Sequence, residues 1–164
     1  MAEINLLDRY PTCKRPLDAR ARLITEAHRA KAREFGEDFF DGDRLFGYGG
    51  YGYHPRFWTD TVARFRDHYS LAPDTRILDV GCAKGFMMYD FKRLMPDIDI
   101  HGIDISQYAH DRAKPEMQPF MQVGDAKNLP FEDDSFDLVI AINTVHNLPL
   151  DDCKQALREI QDAG

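Results

Sequence analysis

Four short apolar runs each end beside a residue that can accept hydrogen bonds. Residues 76–81 (RILDVG) carry Asp79 and lead into Gly81-Cys82-Ala83-Lys84-Gly85; residues 98–104 (IDIHGID) end in Asp104. Residues 120–123 are followed by Gly124-Asp125-Ala126, and residues 136–143 (FDLVIAIN) end in Asn143, followed by Thr144-Val145-His146-Asn147. A carboxylate accepts two hydrogen bonds from a cis-diol and repels a phosphate in the same place. Asp104 follows Gly81 by 23 residues, near the spacing at which an acidic residue meets a ribose in nucleotide-binding βαβ units. The glycines after the first run permit a sharp turn and a close approach of ligand. A helix starting there offers free N–H groups and a positive dipole end to a carboxylate or phosphate. The loop is not a dinucleotide fingerprint, because G-x-G-x-x-G asks for glycine at 81, 83 and 86, where the chain has Gly, Ala and Phe. It also lacks the Gly-Lys-Ser/Thr ending of a phosphate-binding loop. His146 stands just after the fourth run, and imidazole is the side chain best suited to proton transfer near neutral pH, which makes it the candidate general base. Tyr48, Tyr51 and His54 are further candidates to touch cofactor or substrate.

Bringing these run ends to one crevice requires a parallel sheet, whose ligands bind beyond the carboxyl ends of its strands. The runs alternate with helical stretches, the pattern of a parallel sheet with right-handed crossovers. Residues 85–95 read as a helix with Met87, Phe91 and Leu94 on one face. Ser106 is placed to cap a short helix to about Ala113. Asp151 or Asp152 is placed to cap a last helix with Cys153, Leu157 and Ile160 turned inward. Upstream, residues 16–35 read as a helix opened by Pro16, with Leu23, Ala27 and Ala30 on one face. Residues 55–69 read as another, opened by Pro55, whose Trp58, Val62, Phe65 and Tyr69 pack on the main domain. Between them, residues 36–54 (GEDFFDGDRLFGYGGYGYH) hold six of the eleven glycines and six aromatic residues. A stretch this long without periodicity, yet so aromatic, reads as a lid or pocket wall. The expected organisation is an N-terminal helical extension and lid over residues 1–72 and a ligand-binding α/β domain over 73–164.

With 164 residues, 43% hydrophobic and 30% charged, the chain is neither disordered nor fibrous. Every apolar run is broken within about ten residues, so no membrane-spanning helix is expected, and the start, MAEINLLDRYPTCKRP, has no apolar signal core. Cys13, Cys82 and Cys153 are odd in number and far apart, which excludes a disulfide framework and a clustered zinc site and fits a reducing cytoplasm. Residues 1–72 carry 12 Lys and Arg against 11 Asp and Glu, and residues 73–164 carry 9 against 17. An acidic main domain argues against a surface that tracks nucleic-acid phosphates. No basic amphipathic helix points to a membrane.

The text ILDVGCAKGF, then HGIDIS, then GDAKNLPFEDDSFDLVIAINTVHNL resembles the class I S-adenosylmethionine-dependent methyltransferases. The last run is especially similar to their small-molecule branch, which includes quinone- and sterol-modifying enzymes. The resemblance covers residues 73–162. It departs at Ala83, where the family pattern D-x-G-x-G-x-G has glycine. It implies a Rossmann-like three-layer α/β sandwich with strand order 3-2-1-4, S-adenosyl-L-methionine as cofactor, S-adenosyl-L-homocysteine as its product, and a small-molecule acceptor. It implies that Asp79, Gly81, Cys82 and Gly85 line the methionine and ribose part and that Asp104 binds the ribose hydroxyls. Ile105 would lie against the adenine, Asp125 would accept from the adenine amino group with Ala126 beside it, and Asn143 would close the methionine side. Tyr48 would reach the cofactor from the lid. The family has seven strands and this text has four, so the chain reads as truncated after the fourth, leaving an apolar edge open to association and little activity of its own. Two other functions compete. One is a non-catalytic module keeping the fold and its pocket. The other is a nicotinamide-dependent oxidoreductase, which Ala83 and Phe86 disfavour.

Overall fold

Short apolar runs separated by helices build a four-stranded parallel sheet. The computed structural model describes residues 3–12 and 17–164. β1 (Arg76–Val80) is central, between β2 (Asp99–Asp104) and β4 (Leu138–Ile140), and β3 (Met121–Val123) lies outside β2. All three pairings are parallel; Val80 registers with Ile103 and Asp79 with both Gly102 and Ile140. That register brings the carboxyl ends of β1, β2 and β4 to one level.

The alternation along β1 feeds two layers. Ile77 packs with Ile100 and Ile140 against Val62 and Phe65 of α4 (Pro55–Tyr69) and Phe91 of α5 (Phe86–Leu94). Leu78 and Val80 pack on the other face with Ile103, Phe136 and Ala163 of α7 (Leu150–Ala163). Ile77, Leu78 and Val80 are fully buried, as expected for a strand covered on both faces. The result is a helix–sheet–helix sandwich of the Rossmann-like kind.

Helix starts follow local chemistry. Pro55 opens α4 behind His54, whose Nδ1 accepts from the Arg56 N–H. Ser106 caps α6 (Gln107–Asp111) by accepting from the Ala109 N–H at 3.0 Å. Several expectations change. The helix expected over 16–35 is two helices, α1 (Leu17–Leu23) and α2 (Glu26–Ala32), because Thr25 caps the second. Its hydroxyl accepts from the His28 N–H while the His28 ring accepts from the Thr25 N–H. Pro16 and Cys13 lie outside the described residues. The fourth strand is confined to Leu138–Ile140, where pairing with β1 ends. In α7 the inward stripe is Ala156, Ile160 and Ala163, and Leu157 is 49% exposed; the small alanines let the helix approach closely. Asp151 and Asp152 lie in its first turn, not at its cap. Tyr69, at the end of α4, is also exposed.

The glycine-aromatic segment is packed. It contains α3 (Glu37–Phe40), whose Phe40 is buried against Ala83 and Ala109. Tyr51 stacks on Phe86 with centroids 5.2 Å apart. Segment 36–54 is thereby laid over the loop after β1.

Candidate functional site

Two adjoining cavities open at the carboxyl ends of the strands. The larger, about 220 Å³, lies between the end of β2 and the loop after β3, with Phe39 and Phe40 as its roof. The smaller, about 100 Å³, reaches Asp79, Cys82 and Met87 and is walled by Tyr10, Tyr51 and Trp58. Tyr48, Gly81, Ala83, Ile142 and Asn143 line both and form their junction. Concave, mostly apolar space with few convergent polar groups is what a small ligand requires.

Asp104 projects from the end of β2 into the larger cavity. One carboxylate oxygen accepts from the Ala83 N–H at 2.8 Å and the other from the Ser106 N–H at 2.9 Å. Each oxygen keeps a lone pair for a ligand donor. Burial raises its pKa, and the two backbone N–H groups draw it back only in part. Ile105 beside it is 53% exposed, an apolar surface presented to the cavity. Across from it, Asp125 and Ala126 line the same space. The Asp125 carboxylate accepts from the Lys127 N–H at 3.0 Å and lies 3.6 Å from the Lys127 ammonium.

Asp79 is different in kind. Only 4% of it is exposed, and no hydrogen bond or ion pair reaches its carboxylate among the described residues. Burial, helped by the charge of Asp104, pushes its pKa up to about 8. An unpaired buried acid stays neutral or awaits a cation. Cys82 meets the smaller cavity, but its sulfur faces the sheet: a Cβ on Gly102 would come within 2.8 Å of it. Burial, with Asp79 and Asp104 nearby, holds that thiol protonated.

The loop glycines do different work. Gly81 has φ +80°, and a Cβ there would overlap the Thr144 side chain. The Thr144 hydroxyl donates to the Val80 carbonyl at 3.0 Å, tying the ends of β1 and β4 together. Gly85, expected to line the ligand, lines neither cavity; its φ is +67° and its bare Cα faces the Met121 sulfur. It caps α5 and seats that helix on the core. Ala83 adopts φ +50° without glycine's freedom. Asn143, also left-handed at φ +57°, sits at the junction. His146 lies in a short 3₁₀ turn (Val145–Asn147), exposed, and lines neither cavity; Asn147 and Leu148 beside it do. His146, the candidate base, thus lies outside both cavities. His54 caps a helix instead. Thr144, Lys127 and Trp58 are site residues that sequence reasoning missed. The one signal was for Lys127, two residues after an aspartate in an Asx-type turn.

Comparison with known proteins bears on the same residues. The model of the methyltransferase domain family matches residues 77–163. The demethylmenaquinone methyltransferase of Lysinibacillus sphaericus is 28% identical over 123 residues, 72% of this chain and 50% of that protein. The chain thus spans half the length of this curated relative. Among solved structures, the YcgJ protein of Bacillus subtilis has a TM-score of 0.53 at 25% identity, covering 62% of this chain and 44% of that one. The 4+2 cyclase SpnF has a TM-score of 0.51 at 26% identity, covering 63% of this chain and 42% of that one. The matched span begins in β1, takes in both acidic strand ends and finishes in α7, so the strand-end residues of both cavities lie within it while the aromatic walls from Tyr10 to Trp58 precede it: the chain belongs to the methyltransferase domain family.

Proposed function

We infer that this chain binds S-adenosyl-L-methionine in the two cavities and serves as the cofactor-binding domain of a small-molecule methyltransferase. The observation that carries the reading is the larger cavity, where Asp104, Ile105, Asp125 and Ala126 converge from two strand ends. The remaining lone pairs of Asp104 accept from the ribose hydroxyls, Ile105 supplies an apolar face to the adenine, and Asp125 accepts from its amino group. At the other end the uncompensated Asp79 carboxylate suits the cationic amino-acid part, with Asn143, Gly81 and Tyr48 at the junction. The bound cofactor supplies a methyl group activated by positive sulfur. The protein then contributes alignment and exclusion of water.

An acceptor entering beside the smaller cavity meets Tyr10, Tyr48 and Trp58. These walls favour a planar, weakly polar molecule such as a quinone-like phenol over a nucleic acid. The demethylmenaquinone relative supports the same class. Among the described residues, no helix is long and apolar enough to cross a membrane.

A second reading rests on SpnF, a cyclase of similar fold: the domain would keep its pocket without transferring methyl groups. Incubation with methyl-labelled cofactor and a panel of phenols, amines and thiols separates the two. Label on a phenolic acceptor is expected. Cofactor binding without label on any acceptor would favour the second reading.

A further inference from the structure

Lys84 is the one basic residue in the loop between Gly81 and Gly85, and only 7% of its side chain is exposed. Its ammonium donates to both carboxylate oxygens of Asp41, at 2.9 and 2.7 Å, and to the Tyr51 carbonyl at 2.9 Å. Asp41 in turn accepts from the Tyr51 N–H at 2.9 Å and from the Tyr108 hydroxyl at 2.7 Å. Both backbone polar groups of Tyr51 are therefore tied to one ion pair, which is rooted in the loop bounding both cavities. The ring is fixed too, stacked on Phe86 and 4.4 Å from the ring of Tyr48. A desolvated ion pair adds little stability over apolar groups of the same shape, and its best-attested use is to fix register. Here it fixes where Tyr51 stands.

Tyr51 stands in the wall of the smaller cavity, together with Tyr10, Tyr48, Trp58 and Asp79. No Lys, Arg or His is among the described residues lining that cavity. Burial, with Tyr48, Tyr10 and two carboxylates nearby, pushes the Tyr51 pKa well up, so its hydroxyl stays neutral. Ring electrons, hydroxyl oxygens and a buried carboxyl group make a lining that favours positive charge. Resting on the cofactor reading above, we propose that Lys84 and Asp41 are a positioning pair that fixes Tyr51 at the methionine end, so that the cleft takes the positively charged sulfur of S-adenosylmethionine in preference to the neutral sulfur of S-adenosylhomocysteine. Methyl transfer removes that charge, and the product is left in a lining that no longer matches it.

The two ligands differ only in the S-methyl group and the positive charge it confers, so the ratio of their affinities isolates the methylsulfonium centre. Calorimetry with both, on the full chain, is expected to favour S-adenosylmethionine. Tyr51→Leu lowers the ratio by roughly 2- to 30-fold, the range of a cation–aromatic contact expressed as affinity; Tyr51→Phe, which keeps the ring, lowers it less. Lys84→Met shifts the ratio the same way and speeds hydrogen exchange at the Tyr51 amide, and Lys84→Arg restores both. If Lys84→Met does not fold, the two Tyr51 variants still decide. A wild-type chain that binds S-adenosylhomocysteine as tightly, or Tyr51 variants that change both affinities equally, would overturn the proposal while leaving the cofactor reading intact. Failure of the folded wild-type chain to bind either ligand would overturn the cofactor reading itself.

Discussion

Replacing Asp79 with Asn should make the ligand-free chain more stable, and increasingly so as pH rises. The carboxylate is 4% exposed, has no partner among the described residues, and titrates at about 8 in the folded state against 3.8 when exposed. The folded pKa lies above the unfolded one. Below about pH 4 both states hold the proton and burial carries no penalty. Between 4 and 8 the unfolded state has lost the proton and the folded state still binds it, so stability falls with pH; above 8 it levels off. The interval of about four pKa units corresponds to a loss on the order of 5 kcal/mol, at 1.36 kcal/mol per unit. The amide of the Asp79→Asn variant has no proton to lose and is free of this slope. Asp104, Cys82 and Tyr51 face the same site, but their contributions are common to both proteins and largely cancel in the difference. Urea denaturation followed by circular dichroism at pH 5, 6, 7 and 8 gives the two curves. The advantage of Asp79→Asn should grow by several kcal/mol across that range. Parallel curves would refute the reasoning and show that the carboxylate is solvated or paired in solution.

Asp104→Ala should weaken S-adenosylmethionine by roughly 1.5–3 kcal/mol, the worth of hydrogen bonds to a charged group, as read by calorimetry; unchanged affinity would mean that the ribose is not held there. Gly85→Val places a β-branched side chain at φ +67° against the Met121 sulfur, so it should cost more than about 1 kcal/mol of stability, measured by thermal unfolding. Its effect on ligand affinity in the folded protein should be small, because Gly85 lines neither cavity. The outer edge of β4 has no partner strand among the described residues, and unpaired edges recruit other chains. Sedimentation velocity should therefore show self-association that a charged residue at Val139 suppresses; a monomer at high concentration would argue otherwise.

The parts of this fold that could be read in the sequence are those set by local pattern. Each strand end carries its own signature, so Asp104, Asp125 and Asn143 could be assigned to one crevice before any coordinates. What escaped depends on contacts between distant segments. Gly81 and Gly85 look alike in the text, yet Thr144, more than sixty residues later, explains the first, and the Met121 sulfur explains the second. The inward face of α7 was misjudged because apolar character points to Leu157, whereas close packing selected Ala156 and Ala163. The break before α2 rests on a His in place of the usual Glu or Gln of a capping box. The chemistry of His146 is legible in the sequence, but its place in a short 3₁₀ turn outside both cavities is not.

The most direct test of the central claim is calorimetric titration of S-adenosyl-L-methionine into the wild-type chain, with Asp104→Ala as control. Saturable binding at one site per chain, lost or markedly weakened in the folded Asp104→Ala variant, is the expected result. A folded wild-type chain that takes up no S-adenosylmethionine, or one whose affinity is indifferent to Asp104, would contradict the claim.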